Sequence, residues 1–474
     1  MMRKTLAAAA AAALALLAGC ASLTPDGGTG AVQELSRNRT GGVEATLARE
    51  SSAQSQATIN DLLARPLTAG SAVRIALLNN PQLQGSLAAL GVSDADRVQA
   101  GSLPNPHFAI GRLTEGSSVE IERMLSFNVV GLLTLPWRAQ WAGRQNELAR
   151  LQAAQDVVRL AAQTRKAWIE AVAASQTEGY MRDVQDAAAA GAELGRRMGA
   201  AGNWSKLQQA REQLFLGDAT VQLARAQHAH VAAREKLTRL MGLWGAQTQF
   251  TLAERLPDLP AAAREINDVE AQAISQRLDV RAARDESRYV AESLGFTRAT
   301  GFMDALELGY TRSTTFDNAA GTREIKRGFE LELPIPIFDW GQARNARAQA
   351  SYLQSAARVR DVAVNARSEA REAYHRYRTA HDLARHYQGE VVPLRKLVND
   401  EIVLRYNGML ASVWDVLADV RLNVAAVNAS IEAQRDFWLA ETDLQTALTG
   451  TSPGGLAALQ ATSGSAAGNG TQGH

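Results

Sequence analysis

The feature that most constrains the fold is a passage in which a strand pattern runs through proline into a very long helical pattern. It covers residues 328–344 and has the sequence GFELELPIPIFDWGQAR. Its apolar residues alternate with glutamate or proline, which is the period of a strand with one apolar face. Pro334 and Pro336 lack the N–H that strand pairing needs. We therefore expect the strand to end at these prolines and a helix to begin after the turn at Trp340 and Gly341.

A similar passage lies in the first half of the chain, at residues 133–144, with Pro136 and Trp137 at its centre. Around each passage the same order of patterns recurs: a helix, two strands, a long helix, a turn and a second long helix. Such self-similarity indicates a duplicated chain. We place the first repeat at residues 61–250 and the second at residues 261–450.

Composition favours long, closely packed helices over an aromatic core. Aromatic residues make up only 5% of the chain, and alanine, the strongest helix former, is abundant. The formal net charge of +1 offers no electrostatic support for a nucleic-acid partner. The one cysteine excludes an internal disulfide framework. We therefore expect a fold class that is mainly α with a small β part.

The position of that cysteine, Cys20, indicates export. Arg3 and Lys4 precede an apolar run at residues 6–18, and the run ends in the sequence LAGC. The run is too short to span a bilayer comfortably. A basic start, a short apolar run and small residues at its end form a secretory signal peptide. We place this signal peptide at residues 1–19.

The sequence LAGC resembles the lipobox of bacterial lipoproteins, in which the cysteine becomes the first mature residue and carries lipid. By this resemblance Cys20 is the lipidation site, its covalent lipid is the only cofactor implied, and Ala21 favours sorting to the outer membrane. The alternative is an ordinary signal peptide with a chance cysteine. Residues 20–60 are polar with weak periodicity, so we expect an extended or loosely ordered arm there. We expect the Gly- and Ser-rich residues 451–474 to be disordered.

Helical patterns account for most of the remaining chain. Thr68 can cap the first helix, and Asn80-Pro81 interrupts it. Longer helices are predicted at residues 142–199, 206–240, 269–300, 342–406 (with a disturbance at Pro393) and 413–449. Two of these helices carry apolar residues at three-four spacing, which is typical of a coiled-coil seam. The seams consist of Leu207, Ala210, Leu214, Gly217, Val221, Ala224, His228 and Val231, and of Val413, Leu417, Val420, Val424, Val427, Ile431, Gln434 and Trp438.

Four strand patterns complete the chain. The first half has a short strand starting at Phe108 and a longer one at residues 119–129, in which Arg123 is the one charged member of the apolar set. The second half has a strand at residues 306–311, a polar loop at residues 313–323 and then the junction strand. Four strands leave an open sheet with unpaired edges, whereas a sheet in lipid must close. Several copies of the chain could close it together.

Four short motifs accompany the lipobox and the duplicated layout. They are Asn79-Asn80-Pro81, Pro104-Asn105-Pro106, the stretch from Pro336 to Gly341, and Asp415-Val416-Leu417 after the Tyr406-Asn407-Gly408 turn. In this order and spacing, these features resemble the TolC family of outer-membrane efflux proteins over about residues 60 to 450.

The resemblance implies a homotrimer in which four strands per subunit form one shared 12-stranded transmembrane β-barrel. The long helices would form a trimeric α-helical barrel that extends into the periplasm. A periplasmic adaptor protein and an inner-membrane efflux pump would be the partners, and outer-membrane lipid would surround the strands. The implied function is a passive exit duct across the periplasm and outer membrane, without enzyme activity.

The resemblance also implies a periplasmic gate at the last helical hairpin. The matching positions are Tyr406, Asp415 and Asp419, but Ala411 and Ala418 stand where the family has an arginine and an aspartate. A ring of salt bridges therefore cannot be assumed here. Asp415 and Asp419 lie one helical turn apart, so three copies would form an acidic ring. The alternative is that both are ordinary solvated helix charges.

Two further sets of residues follow from the resemblance. The exposed turns between long helices are the candidate adaptor contacts, and the passages from strand to helix are the candidate junctions between barrel and tunnel. The turn residues are Gly202, Asn203, Asn407 and Gly408, and the junction residues are Pro136, Trp137, Pro334, Pro336, Trp340 and Gly341.

Other chemistry has little support in the sequence. Glu372 and His375 form half of a di-iron motif, but no second copy is present, so we expect no metal site. No phosphate-binding loop, serine-hydrolase motif or Cys/His cluster occurs, so an enzyme is not supported. The alternative function is a structural periplasmic coiled-coil lipoprotein without a pore, which would have no need of four alternating strands.

Overall fold

The computed structural model describes residues 22–50, 52–300, 306–332, 337–338 and 340–454. These residues form a mainly helical fold with one small antiparallel sheet, as predicted. The predictions for the signal peptide, for Cys20, Pro334 and Pro336, and for the tail beyond residue 454 fall outside the described residues.

The helices and strands are labelled here in chain order. The helices are α1 (Thr29–Ser36), α2 (Ala53–Leu63), α3 (Ala69–Asn79), α4 (Pro81–Ala100), α5 (Val129–Leu133), α6 (Leu135–Ala200), α7 (Lys206–Met241), α8 (Val269–Gln276), α9 (Leu278–Thr300), α10 (Gln342–His386), α11 (Val392–Asn407) and α12 (Val413–Thr449). The strands are β1 (His107–Glu115), β2 (Ser118–Asn128), β3 (Glu307–Asp317) and β4 (Thr322–Glu332). After α1 and α2, both halves follow the predicted order of helices, two strands, long helix, turn and long helix.

The start of the first half agrees with its local sequence signals. The Thr68 hydroxyl accepts a hydrogen bond from the backbone N–H of Ser71, and the Ser71 hydroxyl accepts one from the backbone N–H of Thr68. This capping box satisfies two backbone groups that would otherwise lack a partner. The helix stops at Asn79, and a new helix begins at Pro81, where a missing N–H costs nothing.

The second half breaks at the equivalent place without a proline. The prediction of one helix over residues 269–300 is wrong, because α8 and α9 are separated by Arg277, whose backbone is extended. The next residue, Leu278, donates its N–H to the carbonyl of Gly450 at 2.9 Å. Arg277 itself is buried and binds Asp279 and Glu369 at 2.6 and 2.7 Å. Long-range contacts therefore set this break.

The first passage from strand to helix differs from its prediction. Strand β2 ends at Asn128, and the next five residues form α5 instead of continuing the strand. The reason is a cap, because the Asn128 side chain accepts a hydrogen bond from the N–H of Gly131 at 2.6 Å. Helix α6 then begins at Leu135, earlier than predicted, with Pro136 in its first turn.

The strands of the second half are longer on one side than predicted. Residues 313–317 belong to β3 and residues 322–323 to β4, so the predicted polar loop at 313–323 shrinks to a short turn. The junction strand likewise begins before Gly328 and ends at Glu332. Strand β3 is longer because its residues 313–317 pair with residues 118–122 of β2. Pairing with a neighbour overrides weak local strand propensity.

The arm predicted at residues 20–60 is more ordered than expected where the structure describes it. It contains α1 and most of α2, and α2 begins with a capping box at Ser52. The side chain of Arg39 donates to the carbonyl of Thr449 at 3.0 Å and to that of Gln276 at 3.3 Å. Both carbonyls lie at helix C-termini, where a cation is stabilising. The arm thus has specific partners that composition alone did not reveal.

The disturbance predicted at Pro393 is confirmed. Five residues, Tyr387–Val391, form a π-helical segment between α10 and α11. Proline cannot donate to the carbonyl four residues earlier and its ring crowds the preceding turn, so the wider π turn accommodates it.

The described chain divides into two compact units that each combine segments of both halves. The sheet unit comprises the described parts of Met1–Val32, Ser86–Ala153 and Val280–Ala363, and it contains all four strands. Its sheet is antiparallel throughout, in the order β1-β2-β3-β4, so β1 and β4 are its edges.

The hairpin unit comprises the described parts of Gln33–Gly85, Ala154–Asp279 and Val364–His474. One core cluster of this unit is built mainly on alanine, with Tyr377 and Phe437 as its buried aromatic members, which confirms the expectation of closely approaching helices. The predicted seam on α7 is instead exposed in this single chain, since Leu207, Leu214 and Val221 are all more than half accessible.

Within the described residues, no helix combines the length and the apolar character that crossing a lipid bilayer requires.

Candidate functional site

The first candidate site is the turn between α6 and α7 in the hairpin unit. Helix α6 ends at Ala200, and Gly202 adopts φ +77°, a conformation that favours glycine. The N–H of Asn203 returns to the carbonyl of Met198 at 2.9 Å. Ser205 then caps α7 through a capping box with Gln208. Gly202 and Asn203 are both exposed, which places these predicted turn residues at the surface of the chain.

The turn between α11 and α12 has an unexpected geometry. Gly408, predicted to make the turn with Asn407, has an ordinary negative φ of −81°, whereas the neighbouring Met409 adopts φ +60°. The N–H of Leu410 closes the turn on the carbonyl of Arg405 at 2.8 Å. Met409 is 95% exposed and Leu410 82% exposed. The tip therefore presents two adjacent apolar side chains that sequence reasoning missed.

A pair of tryptophans joins the two hairpins near these turns. The rings of Trp204 and Trp414 have centroids 4.3 Å apart and are tilted by 32°. Trp204 is buried and lies against Gly195, where an added Cβ would come within 2.9 Å of the ring. A glycine at this point of α6 is thus what allows the indole to pack against the helix. The sequence contained both tryptophans but no signal that they would meet.

A buried ion pair between α7 and α12 also joins the two hairpins, further from the turns than the tryptophan pair. Glu212 of α7 is only 1% exposed, and its Oε1 accepts a hydrogen bond from the Arg421 guanidinium of α12 at 2.8 Å. The same guanidinium lies 4.6 Å from the ring centre of Phe215. The second carboxylate oxygen, Oε2 of Glu212, is buried and has no hydrogen-bond partner among the described residues. Arg421 is therefore the ion-pair partner of Glu212 among the described residues.

The predicted gate residues lie in three different environments. Tyr406 is 45% exposed near the end of α11. Asp415 is exposed and forms the capping box of α12 with Ser412, whose hydroxyl donates to it at 2.8 Å. Hydrogen bonds from the side chain and then the backbone of Ser412 lower the pKa of the Asp415 carboxyl. The hydrogen bonds of the Asp415 side chain are therefore made to Ser412, at the start of its own helix.

Asp419, one turn further along α12, is buried. Its Oδ1 lies 4.0 Å from an Arg395 nitrogen of α11, and its Oδ2 is buried without a hydrogen-bond partner among the described residues. Asp415 and Asp419 therefore do not share one environment, although they are four residues apart. The tip thus contains two buried acidic side chains, Glu212 and Asp419, each of which faces one arginine on a neighbouring helix.

The second candidate site is the sheet, whose two faces differ sharply. Residues that oppose each other in an antiparallel ladder point to the same face. By the observed register one face, called the apolar face below, carries Phe108, Ile110, Ile121, Leu125, Phe127, Leu308, Tyr310, Phe329 and Leu331. The other, polar face carries Glu120, Glu122, Ser126, Ser313, Lys326 and Glu330. The alternation predicted from the sequence is confirmed.

The predicted junction residues flank this sheet. Pro136 and Trp137 lie in the first turn of α6, and Trp137 is 47% exposed. Trp340 is 65% exposed, and Gly341 adopts φ +78° immediately before α10 begins. The turn therefore requires glycine at position 341. Together these residues place two accessible indoles where strands give way to long helices.

No group of three or more metal-ligating side chains occurs among the residues that the structure describes. His381, the most buried histidine of α10, has an ordinary packing role, since its ring lies 5.6 Å from Phe437 and its Nε2 is 3.0 Å from the carbonyl of Pro260. His230 pairs with Glu178 at 2.5 Å. These two histidines thus have structural partners.

Comparison with known proteins identifies the fold. The sequence matches no family model and no curated protein. Solved structures with the same fold include the CmeC outer-membrane channel of Campylobacter jejuni, at TM-score 0.65 and 15% identity, covering 87% of this chain and 90% of that one.

A membrane protein from Pseudomonas aeruginosa gives TM-score 0.68 at 19% identity, covering 82% of this chain and 91% of that one. The outer-membrane protein VceC from Vibrio cholerae gives TM-score 0.65 at 15% identity, covering 81% and 96%. At these identities the similarity concerns the fold, which the chain shares with these membrane proteins, the CmeC channel among them.

Proposed function

We propose that this chain is the outer-membrane channel subunit of a tripartite efflux system, a passive exit duct that carries substrates across the periplasm and the outer membrane. In this proposal three copies assemble, a periplasmic adaptor and an inner-membrane pump are the partners, and lipid on Cys20 anchors the N-terminus. The fold shared with outer-membrane channels over most of both chains supports the proposal.

The observation that carries the proposal is the sheet. It has one apolar face and one polar face, and neither of its edge strands pairs with a further strand among the described residues. An open edge exposes unpaired backbone groups, which lipid does not tolerate. Three copies of a four-stranded sheet would pair edge to edge into a 12-stranded barrel, with the apolar face toward lipid and the polar face toward water.

The exposed seam on α7 supports the same assembly. Leu207, Leu214 and Val221 recur at seven-residue spacing and are accessible in the single chain. A heptad of apolar residues on one helix face is the pattern that a neighbouring helix covers. In the proposed trimer these side chains would contact the next subunit and help to build the helical barrel.

The hairpin tips supply the proposed gate and the adaptor contact. Trp204 with Trp414, and Glu212 with Arg421, tie one hairpin to the other within a subunit. The duct would stay narrow while these ties hold and open as the hairpins separate. Asp415 and Asp419 would add acidic groups near the opening. Gly202, Asn203, Asn407 and Gly408, extended by Met409 and Leu410, would form the adaptor surface.

Planar-bilayer conductance of the purified protein, together with its mass in detergent, tests the function. We expect discrete channels and the mass of a trimer. A monomeric protein without channel activity would reject the duct. That result would support the alternative, a structural periplasmic lipoprotein. The shared fold does not favour this alternative, because such a lipoprotein has no role for the sheet.

A further inference from the structure

Three helix C-termini converge on the guanidinium of Arg39 in the hairpin unit. Its Nη1 donates to the carbonyl of Leu35 at 2.6 Å, its Nε to that of Thr449 at 3.0 Å and its Nη2 to that of Gln276 at 3.3 Å. These carbonyls lie in the last turns of α1, α12 and α8 respectively. The C-terminus of a helix carries a partial negative charge, so three of them brought together repel unless a cation lies between them. Arg39 supplies a cation at this point.

The equivalent helix end of the first repeat is closed from within that repeat. There the side-chain amide of Asn79 donates to the carbonyls of Met241 and Gly242 at 3.1 and 2.8 Å. The side-chain amide of Asn80 donates to the carbonyl of Leu240 at 2.9 Å. These carbonyls lie at the end of α7, which corresponds to α12 in the duplicated order of elements. Two asparagines at the break between α3 and α4 therefore close the first repeat.

The second repeat has no asparagine at the matching break. Gln276 and Arg277 stand there, and Arg277 reaches the carbonyl of Ala447 through one long hydrogen bond of 3.5 Å, while its ion pairs go to two carboxylates. The carbonyl of Thr449, at the end of α12, is instead bound by Arg39, which lies outside both repeats. The end of the second repeat is therefore completed from outside, by the N-terminal arm.

The segment that carries Arg39, residues 33–46, is called the strap below. Between α1 and α2 the described residues form no helix or strand, so the strap is held by side chains rather than by a backbone ladder. Its second attachment is Arg165 of α6, which donates to the carbonyl of Gly41 at 2.5 Å. Gly41 has φ +71°, and an added Cβ would come within 2.5 Å of the Arg165 guanidinium, so glycine is what allows this approach. A segment fastened at a few points can open without unfolding the helices beneath it.

We propose that the strap is a detachable lock on the end of the second repeat. When the strap is docked, Arg39 holds the C-termini of α8 and α12 together, and beside them Leu278 donates its N–H to the carbonyl of Gly450. When the strap opens, these helix ends lose their cation and separate, whereas the end of the first repeat stays closed by its asparagines. The lock acts on α12, whose other end carries Trp414 and Asp419. It is independent of the proposed channel function, because it concerns contacts within one chain.

Hydrogen–deuterium exchange of the purified protein, read by mass spectrometry, tests the lock. Arg39→Met removes the three donors and should raise the exchange rate of the Leu278 and Gly450 amides by about tenfold or more, because charge-assisted hydrogen bonds at helix C-termini are lost. The amides of Gly242 and Leu243, at the end of the first repeat, should exchange as in the wild type. Arg39→Lys keeps the charge but not the planar fork that serves three carbonyls, so it should raise the rates by a smaller factor.

Arg37→Met is the matched control. Arg37 lies two residues before Arg39 and pairs with Glu34 at 2.7 Å on the surface, where both side chains are more than half exposed. Surface pairs contribute little, so this variant should leave the exchange of Leu278 unchanged. Equal rates in Arg37→Met and Arg39→Met would overturn the inference. Opening of both repeat ends in Arg39→Met would also overturn it, because general destabilisation would then explain the result.

Arg165→Met distinguishes a detachable lock from a simple helix cap. It removes the attachment at Gly41 and leaves the three donors of Arg39 in place. If the strap acts as a unit, this variant should also raise the exchange of Leu278, by a smaller factor than Arg39→Met does. An unchanged rate would refute the lock. The reciprocal variant Asn79→Ala should raise exchange at the end of α7 and leave Leu278 protected, and loss of protection at Leu278 would show that the two ends are not closed separately.

Discussion

Oε1 of Glu212 lies 2.8 Å from Nη2 of Arg421, and the Glu212 side chain is almost completely buried. The two residues come from different halves of the chain, from α7 and α12 respectively. A buried carboxylate is stable only with a partner, and its other oxygen finds none among the described residues. The pair therefore connects the two hairpins, and its loss should let the hairpins separate more easily at the tip.

Replacing Arg421 with leucine should loosen this connection. The substitution leaves the Glu212 carboxylate buried and unpaired, at a cost of about 3 kcal/mol. We expect the hairpins to separate more easily and single-channel recordings to show more open time. The double variant Glu212→Leu/Arg421→Leu should recover much of the stability, because no unpaired charge remains.

A suitable control for that experiment is Arg405→Leu. Arg405 pairs with Glu401 at 3.1 Å on the surface of α11, and both side chains are more than half exposed. Surface pairs of this kind contribute little. Equal effects of the changes at Arg405 and Arg421 would show that burial of Glu212 is not what matters.

Trp204→Ala should also separate the hairpins. The indole is buried and stacks on Trp414, and truncating a buried tryptophan costs about 3–5 kcal/mol. We expect faster cleavage of the turn at residues 201–205 in limited proteolysis. Trp244, which is 81% exposed, is the control position, since Trp244→Ala should leave the cleavage rate unchanged. An unaltered rate in Trp204→Ala would exclude the tryptophan pair as a tie.

The capping box of α12 should weaken only in acid. The Ser412 hydrogen bonds lower the pKa of Asp415 from its ordinary value of 3.8. The stabilisation is therefore fully present above that value and is lost as the pH falls through the lower folded-state value. Trp414, two residues into the helix, can report the change through the ¹⁹F resonance of a fluorotryptophan label. We expect a transition below about pH 4.

The variant Asp415→Asn, which has no titrating carboxyl at this position, should not show that transition. If the resonance instead moves near neutral pH, or moves identically in Asp415→Asn, a different group controls the tip. Trp414→Phe assigns the resonance.

Gly341→Val should disturb the passage from strand to helix. Gly341 adopts φ +78°, where a β-branched residue is a strong outlier, at a cost of about 1–2 kcal/mol or more. We expect fewer heat-resistant trimers on gels without boiling. Gly143→Val is the matched control, because Gly143 lies within α6 in open space and its φ is ordinary. Normal trimers in Gly341→Val would show that this turn is not needed for assembly.

Local signals in the sequence accounted for much of the fold. The cap at Thr68, the break at Pro81 and the disturbance near Pro393 depend on residues close in the chain, where hydrogen bonding and proline geometry act directly. The break at Arg277 and the second half of β3 could not be found in this way. Both depend on partners more than a hundred residues distant, namely Gly450 and β2.

The candidate sites divide along the same line. The sequence by itself determined the duplicated order of elements, the alternation of the strands and the two turns between long helices, because each follows from a local period or a local hydrogen bond. Only the tertiary structure decided that Trp204 meets Trp414, that Arg421 neutralises Glu212 and that Arg39 bridges the ends of α8 and α12. Those relationships depend on the packing of the helices and of the arm, which results from many weak contacts between distant segments and leaves no periodic trace in the chain.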